Sequence, residues 1–164
     1  MIWVILLKFI HILAAMLMVG GMFARQMVRA SAKNSGDIII VASLLRAAGS
    51  IDRRLVIPSS NLVILVGIIL AVVAGWPVFG FLQGASQNWL LISNILIVAI
   101  LVVIFAVFVP GNRKLEPLIQ AALEQGQVTA ELRLAMENQV VKWAHYFEEV
   151  AVIIIIALMV FKPF

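Results

Sequence analysis

Charge is what this sequence has least of. Only 12% of its 164 residues are Asp, Glu, Lys or Arg, while 64% are hydrophobic. A soluble domain carries about 25% charged residues. With mean hydropathy of +1.14, the chain has too little polar surface to face water. Cysteine is absent, which excludes disulfides and thiolate metal sites. Also missing are a Gly-rich phosphate loop, a nucleophile elbow and a zinc-protease motif, and the soluble-enzyme classes they define go with them. No basic residue precedes the first apolar run, and Lys8 interrupts it. That run therefore reads as a retained helix rather than a cleaved signal.

What is present is four long apolar stretches. A hydrocarbon core of about 30 Å takes about 20 helical residues. Where charges stop, the spans run from Trp3 to Phe23, Leu55 to Trp76, Trp89 to Pro110 and Trp143 to Phe161. A tryptophan marks an end of each, as in interfacial belts. No internal repeat interrupts this plan. The fold class is all-α: an integral membrane four-helix bundle, one domain over residues 1–164, with short amphipathic cytoplasmic helices.

Ten of the twelve basic residues, all but Lys8 and Lys162, lie on the side of the 24–54 and 111–142 connections. The connection from Pro77 to Asn88 carries no charge. By the positive-inside rule the basic side is cytoplasmic and both termini face outward. Insertion topology accounts for the +4 net charge, so the partner is the lipid bilayer and nucleic acid is not expected. Within the basic connections, Asp37 to Ala48 reads as an amphipathic helix capped by Asp37 and ended by Gly49. Leu115 to Glu124 reads as another, stopped at Gly126, and Thr129 starts a helix running on into span four. These segments form either an apron on the membrane surface or a docking platform. In span two, Gly67, Ala71 and Gly75 recur every four residues, a stripe for close helix packing within the chain or in a homodimer.

Polar groups at membrane depth are costly and are the functional candidates. On span one, Lys8, His11, Met18, Met22, Arg25 and Arg29 fall within about 100° of arc. Lys8 reaches the outer surface, and Arg25 and Arg29 the inner one. His11, about 12 Å below the outer boundary, is either a hydrogen-bonded packing residue or a metal or haem ligand. On span four, Lys142, His145, Glu148 and Glu149 are either a self-satisfied interfacial cluster or the lining of a site. Glu149, four residues after His145, is the carboxylate placed toward the bundle interior, where it handles protons. By helical rise His145 lies about 24 Å down and Glu149 about 18 Å. One bis-histidine haem is thereby disfavoured, and His11–Glu149 is the better pair. Met18 and Met22 with His11 open a weaker copper reading. Ser59, Ser60, Asn61, Ser93 and Asn94 read as interhelical hydrogen-bond glue.

The opening Lys8-Phe9-Ile10-His11 with Gly20-Gly21 resembles a family of small bacterial predicted integral membrane proteins without assigned function. So do Arg53-Arg54-Leu55, Gly75-Trp76 and the ending Val160-Phe161-Lys162-Pro163-Phe164. More distantly, the same features resemble HemJ-type protoporphyrinogen oxidases and CopD-type copper-resistance proteins. The resemblance implies haem binding at His11. The favoured reading is an inner-membrane protein with a haem- or porphyrin-related redox role centred on His11, haem b as its cofactor, and, from the reading of the residues themselves, Glu149 and Lys8 as its catalytic groups. The alternative from another class is a non-catalytic subunit of a larger membrane complex or homo-oligomer.

Overall fold

The computed structural model describes residues 2–163; Met1 and Phe164, the last residue of the ending quoted above, lie outside the described residues. Among the described residues the elements are helical, without strands. Four helices are long and apolar enough to cross a membrane: Ile2–Lys33, Ile38–Val73, Trp89–Glu124 and Ala130–Phe161. The chain is all-α, as expected, and its helices are compatible with a membrane four-helix bundle.

The helices overrun the predicted spans. The first is a single element, α1 (Ile2–Lys33). The second joins α2 (Ile38–Ile51) to α3 (Ile57–Val73) through a π-turn at Asp52–Val56. The third joins α4 (Trp89–Val103) to α5 (Val109–Glu124) through a π-turn at Ile104–Phe108. The fourth comprises α6 (Ala130–Met136) and α7 (Gln139–Phe161). Gly49 and Pro110, read as helix ends, are therefore inside continuous helices. The local stop signals do not end either helix.

Both π-turns have the same cause. Each ends two residues before a proline, Val56 before Pro58 and Phe108 before Pro110. Proline lacks an N–H, and its ring crowds the carbonyl four residues earlier, here that of Arg54 or Ala106. One extra residue in the turn relieves the crowding without breaking the helix. At the first turn, Ser59 Oγ donates to the Leu55 and Val56 carbonyls at 2.6 and 3.1 Å, and Ser60 Oγ to Val56 at 2.7 Å. These are local bonds from hydroxyls to carbonyls three or four residues back, of the kind that bends a helix slightly. They also correct the glue reading, because both serines, and Ser93 toward Trp89 at 2.8 Å, bond their own helix. Pro117 lies inside α5 with no π-turn. It is exposed within the polar 112–117 segment, where water can take the carbonyl it frees.

Several caps follow the sequence. Asp37 accepts from the Ile39 N–H at 2.8 Å, and Thr129 from Leu132 at 3.3 Å. Gly126, at φ +68°, closes α5 with the pair of bonds Gly126→Leu123 and Gln127→Ala122, the geometry that a left-handed residue after a helix permits. Asn138 caps α7 by accepting from Val140 and Val141. The helix from Thr129 thus restarts at Asn138 before span four.

The contacts group into two compact units, Met1–Gly75 with Ile119–Arg133, and Trp76–Leu118 with Leu134–Phe164. In the first, α1 packs on α2, α3 and the π-turn. A Cβ on Gly21 would lie 2.9 Å from Val56 Cγ2, so only glycine allows this approach. Ala32, Val41, Ala42 and Ala48 are buried in this unit, as are Ile119, Ala122 and Leu132. The apolar sides of both amphipathic segments therefore go into protein, not onto a lipid surface. In the second unit α4 packs on α7, and Trp76 meets Trp89 edge to face at 5.4 Å. Lys162 Nζ sits over both rings, at 4.4 and 5.3 Å. Trp3 and Trp143 remain exposed, as lipid-interface residues should be. The connection between α3 and α4 is held by Asn88, whose Oδ1 accepts from Phe81 N–H, and by Asn94, whose Nδ2 donates to the Val78 carbonyl.

Candidate functional site

Each unit carries a buried polar group, and each group is built around a proline-induced π-turn. In the first unit, Arg25 is 4% exposed. Its Nη1 donates to Asp52 Oδ1 at 2.8 Å, and Arg29 Nη2 lies 3.5 Å from Asp52 Oδ2. Asp52 opens the π-turn, and α1 crosses it closely at Gly21. The reading of Arg25 as an interfacial residue is corrected here. A buried guanidinium needs a partner, and the π-turn supplies one. Asp52 escaped the sequence reading. The available signal was its isolation: no other acidic residue lies between Asp37 and Glu116.

His11 lies in the same unit, partly buried between α1 and α3. The ring lies by the Val63 backbone, and its buried Nδ1 has no hydrogen-bond partner among the described residues. A Cβ on Gly67 would stand 3.0 Å from His11 Cε1 and 3.4 Å from Nδ1. Gly67 is therefore the floor beneath the imidazole. Ala71 is buried beside it in sequence, whereas Gly75, at φ +68°, ends α3 and meets nothing within 4 Å. The small-residue stripe thus resolves into a histidine cradle, a packed alanine and a helix stop.

An axial haem ligand must present a ring nitrogen to an open face of the macrocycle. With its buried Nδ1 closed in against Gly67, His11 does not fit that role as placed. Met18 is partly buried and Met22 is buried, but Met18 lies seven residues on, about 10.5 Å along the helix, too far to share one ion with His11. No group of three or more His, Cys, Asp or Glu among the described residues is placed to hold a metal ion. Lys8 is exposed.

In the second unit α7 carries two buried titratable side chains. His145 is 7% exposed and Glu148 5%. His145 Nδ1 lies 3.4 Å from Glu148 Oε2, one helical turn along. The imidazole stacks on Phe108, centroids 4.3 Å apart and planes 22° from parallel. Phe108 is the last residue of the second π-turn. Glu149, placed toward the interior by the sequence reading, is partly exposed. Three residues from His145 to Glu148 make 300°, four to Glu149 make 400°, so either carboxylate can neighbour the ring. Packing selects the first. The expected His11–Glu149 pair joins residues of two separate units, and the short contact is His145–Glu148. Phe108 was not legible beforehand, since only the π-turn turns it to the histidine.

No curated protein and no solved structure matches this chain. A family model described as "Predicted integral membrane protein (DUF2269)" matches residues 5–163, and the chain belongs to that family of multi-pass integral membrane proteins.

Proposed function

We propose that the protein is a membrane-embedded acid–base module whose working group is the His145–Glu148 couple, serving a redox or transport reaction that needs a proton moved within the membrane. One observation carries this reading: two titratable side chains, each more than nine-tenths buried and 3.4 Å apart, lie on an apolar helix long enough to span a bilayer. Ionisable residues at such positions are costly and concentrate in proton relays and substrate paths. Imidazole titrates near neutral pH, and a neighbouring carboxylate gives its proton a place to go. Infrared titration of the protein in lipid nanodiscs tests the couple. A carboxyl band lost in Glu148→Gln and shifted in His145→Ala is the expected result. A band unchanged in both variants would overturn it.

A second reading keeps the haem- or porphyrin-related role centred on His11. It is favoured by the unpartnered Nδ1 and the Val63 backbone beside the ring, since a backbone carbonyl can orient a ligating imidazole. It requires the ring to swing off Gly67. A Soret band in gently solubilised protein, lost in His11→Ala, would establish it. A colourless protein that copurifies with stoichiometric partners would favour an accessory subunit instead.

A further inference from the structure

The His145 imidazole is held on one side by Glu148 and on its face by Phe108, which belongs to another helix. We propose that Phe108 is a positioning residue for the His145–Glu148 couple, and that Pro110 sets it by forcing the π-turn at Ile104–Phe108. The inference deepens the acid–base reading and rests on it for its functional meaning.

A π-turn inserts one residue into the helical register, so every side chain after it is rotated by about 100° relative to an unbroken helix. Phe108 is the residue at which that rotation is complete. With it, the phenyl face lies nearly flat on the imidazole at 4.3 Å. Without it, the ring would point about a quarter-turn away. The helix stays close to α7 just beyond, where a Cβ on Gly111 would be 3.8 Å from Val141 Cγ2. On α7 itself, Ala144 and Ala151 near the pair in sequence are small and buried. A flat apolar face restrains rotation of the imidazole about its χ2 torsion, which is otherwise broad. It thereby fixes the plane of the ring, within which the 3.4 Å contact with Glu148 Oε2 selects Nδ1 over Cδ2. Stacked rings of this kind add about 0.5–1.5 kcal/mol beyond their buried area, enough to hold the ring in that plane.

The other π-turn provides an internal comparison. There too a proline two residues downstream creates the turn, and there too the turn carries the residue that completes a buried polar group, Asp52 for Arg25. In the one case the turn supplies a charge, in the other an aromatic face.

The test is nitrogen-15 and proton solid-state NMR of His145 in bilayers, with the full chain carrying Phe108→Leu, Phe108→Tyr or Pro110→Ala. Phe108→Leu should remove the ring-current shift of the imidazole protons and broaden the single Nδ1–H···Glu148 signal as the ring plane is released. Phe108→Tyr should restore the sharp signal, and Pro110→Ala should reproduce the leucine spectrum with Phe108 still present. An unchanged, sharp signal in Phe108→Leu and Pro110→Ala would overturn the proposal. If Phe108→Leu fails to insert, Phe108→Tyr against Pro110→Ala makes the same comparison. Because the readout is ring orientation, it is independent of the infrared band that tests proton exchange by the couple. Altered orientation with a lost carboxyl response would leave positioning standing and remove the acid–base role.

Discussion

Glu148 and Glu149 are adjacent in sequence and differ in surroundings, and the residue scale turns on such differences. One is buried against an imidazole; the other is half open. Their helical angles relative to His145 do not separate them, which is why the sequence pointed to the wrong neighbour for the interior position. Two residues on α1 show the same limit. The face carrying His11, Met22 and Arg25 was legible from a 100° step, whereas the partners Asp52 and Gly67 depend on how α1 meets α2 and α3. Removing Asp52 leaves Arg25 buried without its closest carboxylate, and breaking such a pair costs about 3–5 kcal/mol. Asp52→Ala should therefore lower stability by about that amount in denaturant titration from mixed micelles, and an effect under about 1 kcal/mol would contradict the burial of the pair. At Gly67 a methyl group would meet the His11 ring at 3.0 Å. Gly67→Ala should displace the imidazole, seen as loss of the Val63–His11 contact by NMR, while Gly75→Ala should leave that contact intact.

Proline makes the elements of this chain distinctive. The four apolar stretches, the Asp37 cap, the Gly126 stop and the Thr129 start could all be read from composition and spacing. The length of the helices could not. Pro58 and Pro110 look like ends, and a helix that widens by one residue instead of stopping has no sequence mark of its own. What decides between the two is whether water can reach the freed carbonyl. Pro117 sits where water itself is available. Accordingly Pro117→Ala, in an exposed part of α5, should stabilise the protein by up to about 3 kcal/mol, measured as a raised midpoint of thermal unfolding. Pro58→Ala should instead shift the register of Asp52 against Arg25 and lower that midpoint, despite the better helix propensity of alanine.

For the molecule as a whole, the distribution of charge was the most informative sequence feature, since it located the spans, and it also predicts which way they point. By the positive-inside rule, ten basic residues on one side and an uncharged 77–88 connection on the other predict that both termini lie outside the cytoplasm. Because the chain has no cysteine, Gln83→Cys and Gln120→Cys each introduce a single thiol. A membrane-impermeant maleimide applied to intact cells should label the first and spare the second; the reverse pattern would invert the topology. The contacts group into two compact units, each with its own buried polar group.

The most direct test of the central claim compares the two neighbouring carboxylates in one experiment. Infrared difference spectra across a pH titration, recorded in nanodiscs for the unaltered chain, Glu148→Gln and Glu149→Gln, report which carboxyl exchanges a proton in concert with an imidazole. The expected result is a reversible carboxyl band coupled to a histidine band, absent in Glu148→Gln and retained in Glu149→Gln. Retention of the coupled band in Glu148→Gln, or its loss only in Glu149→Gln, would contradict the assignment of His145–Glu148 as the working pair.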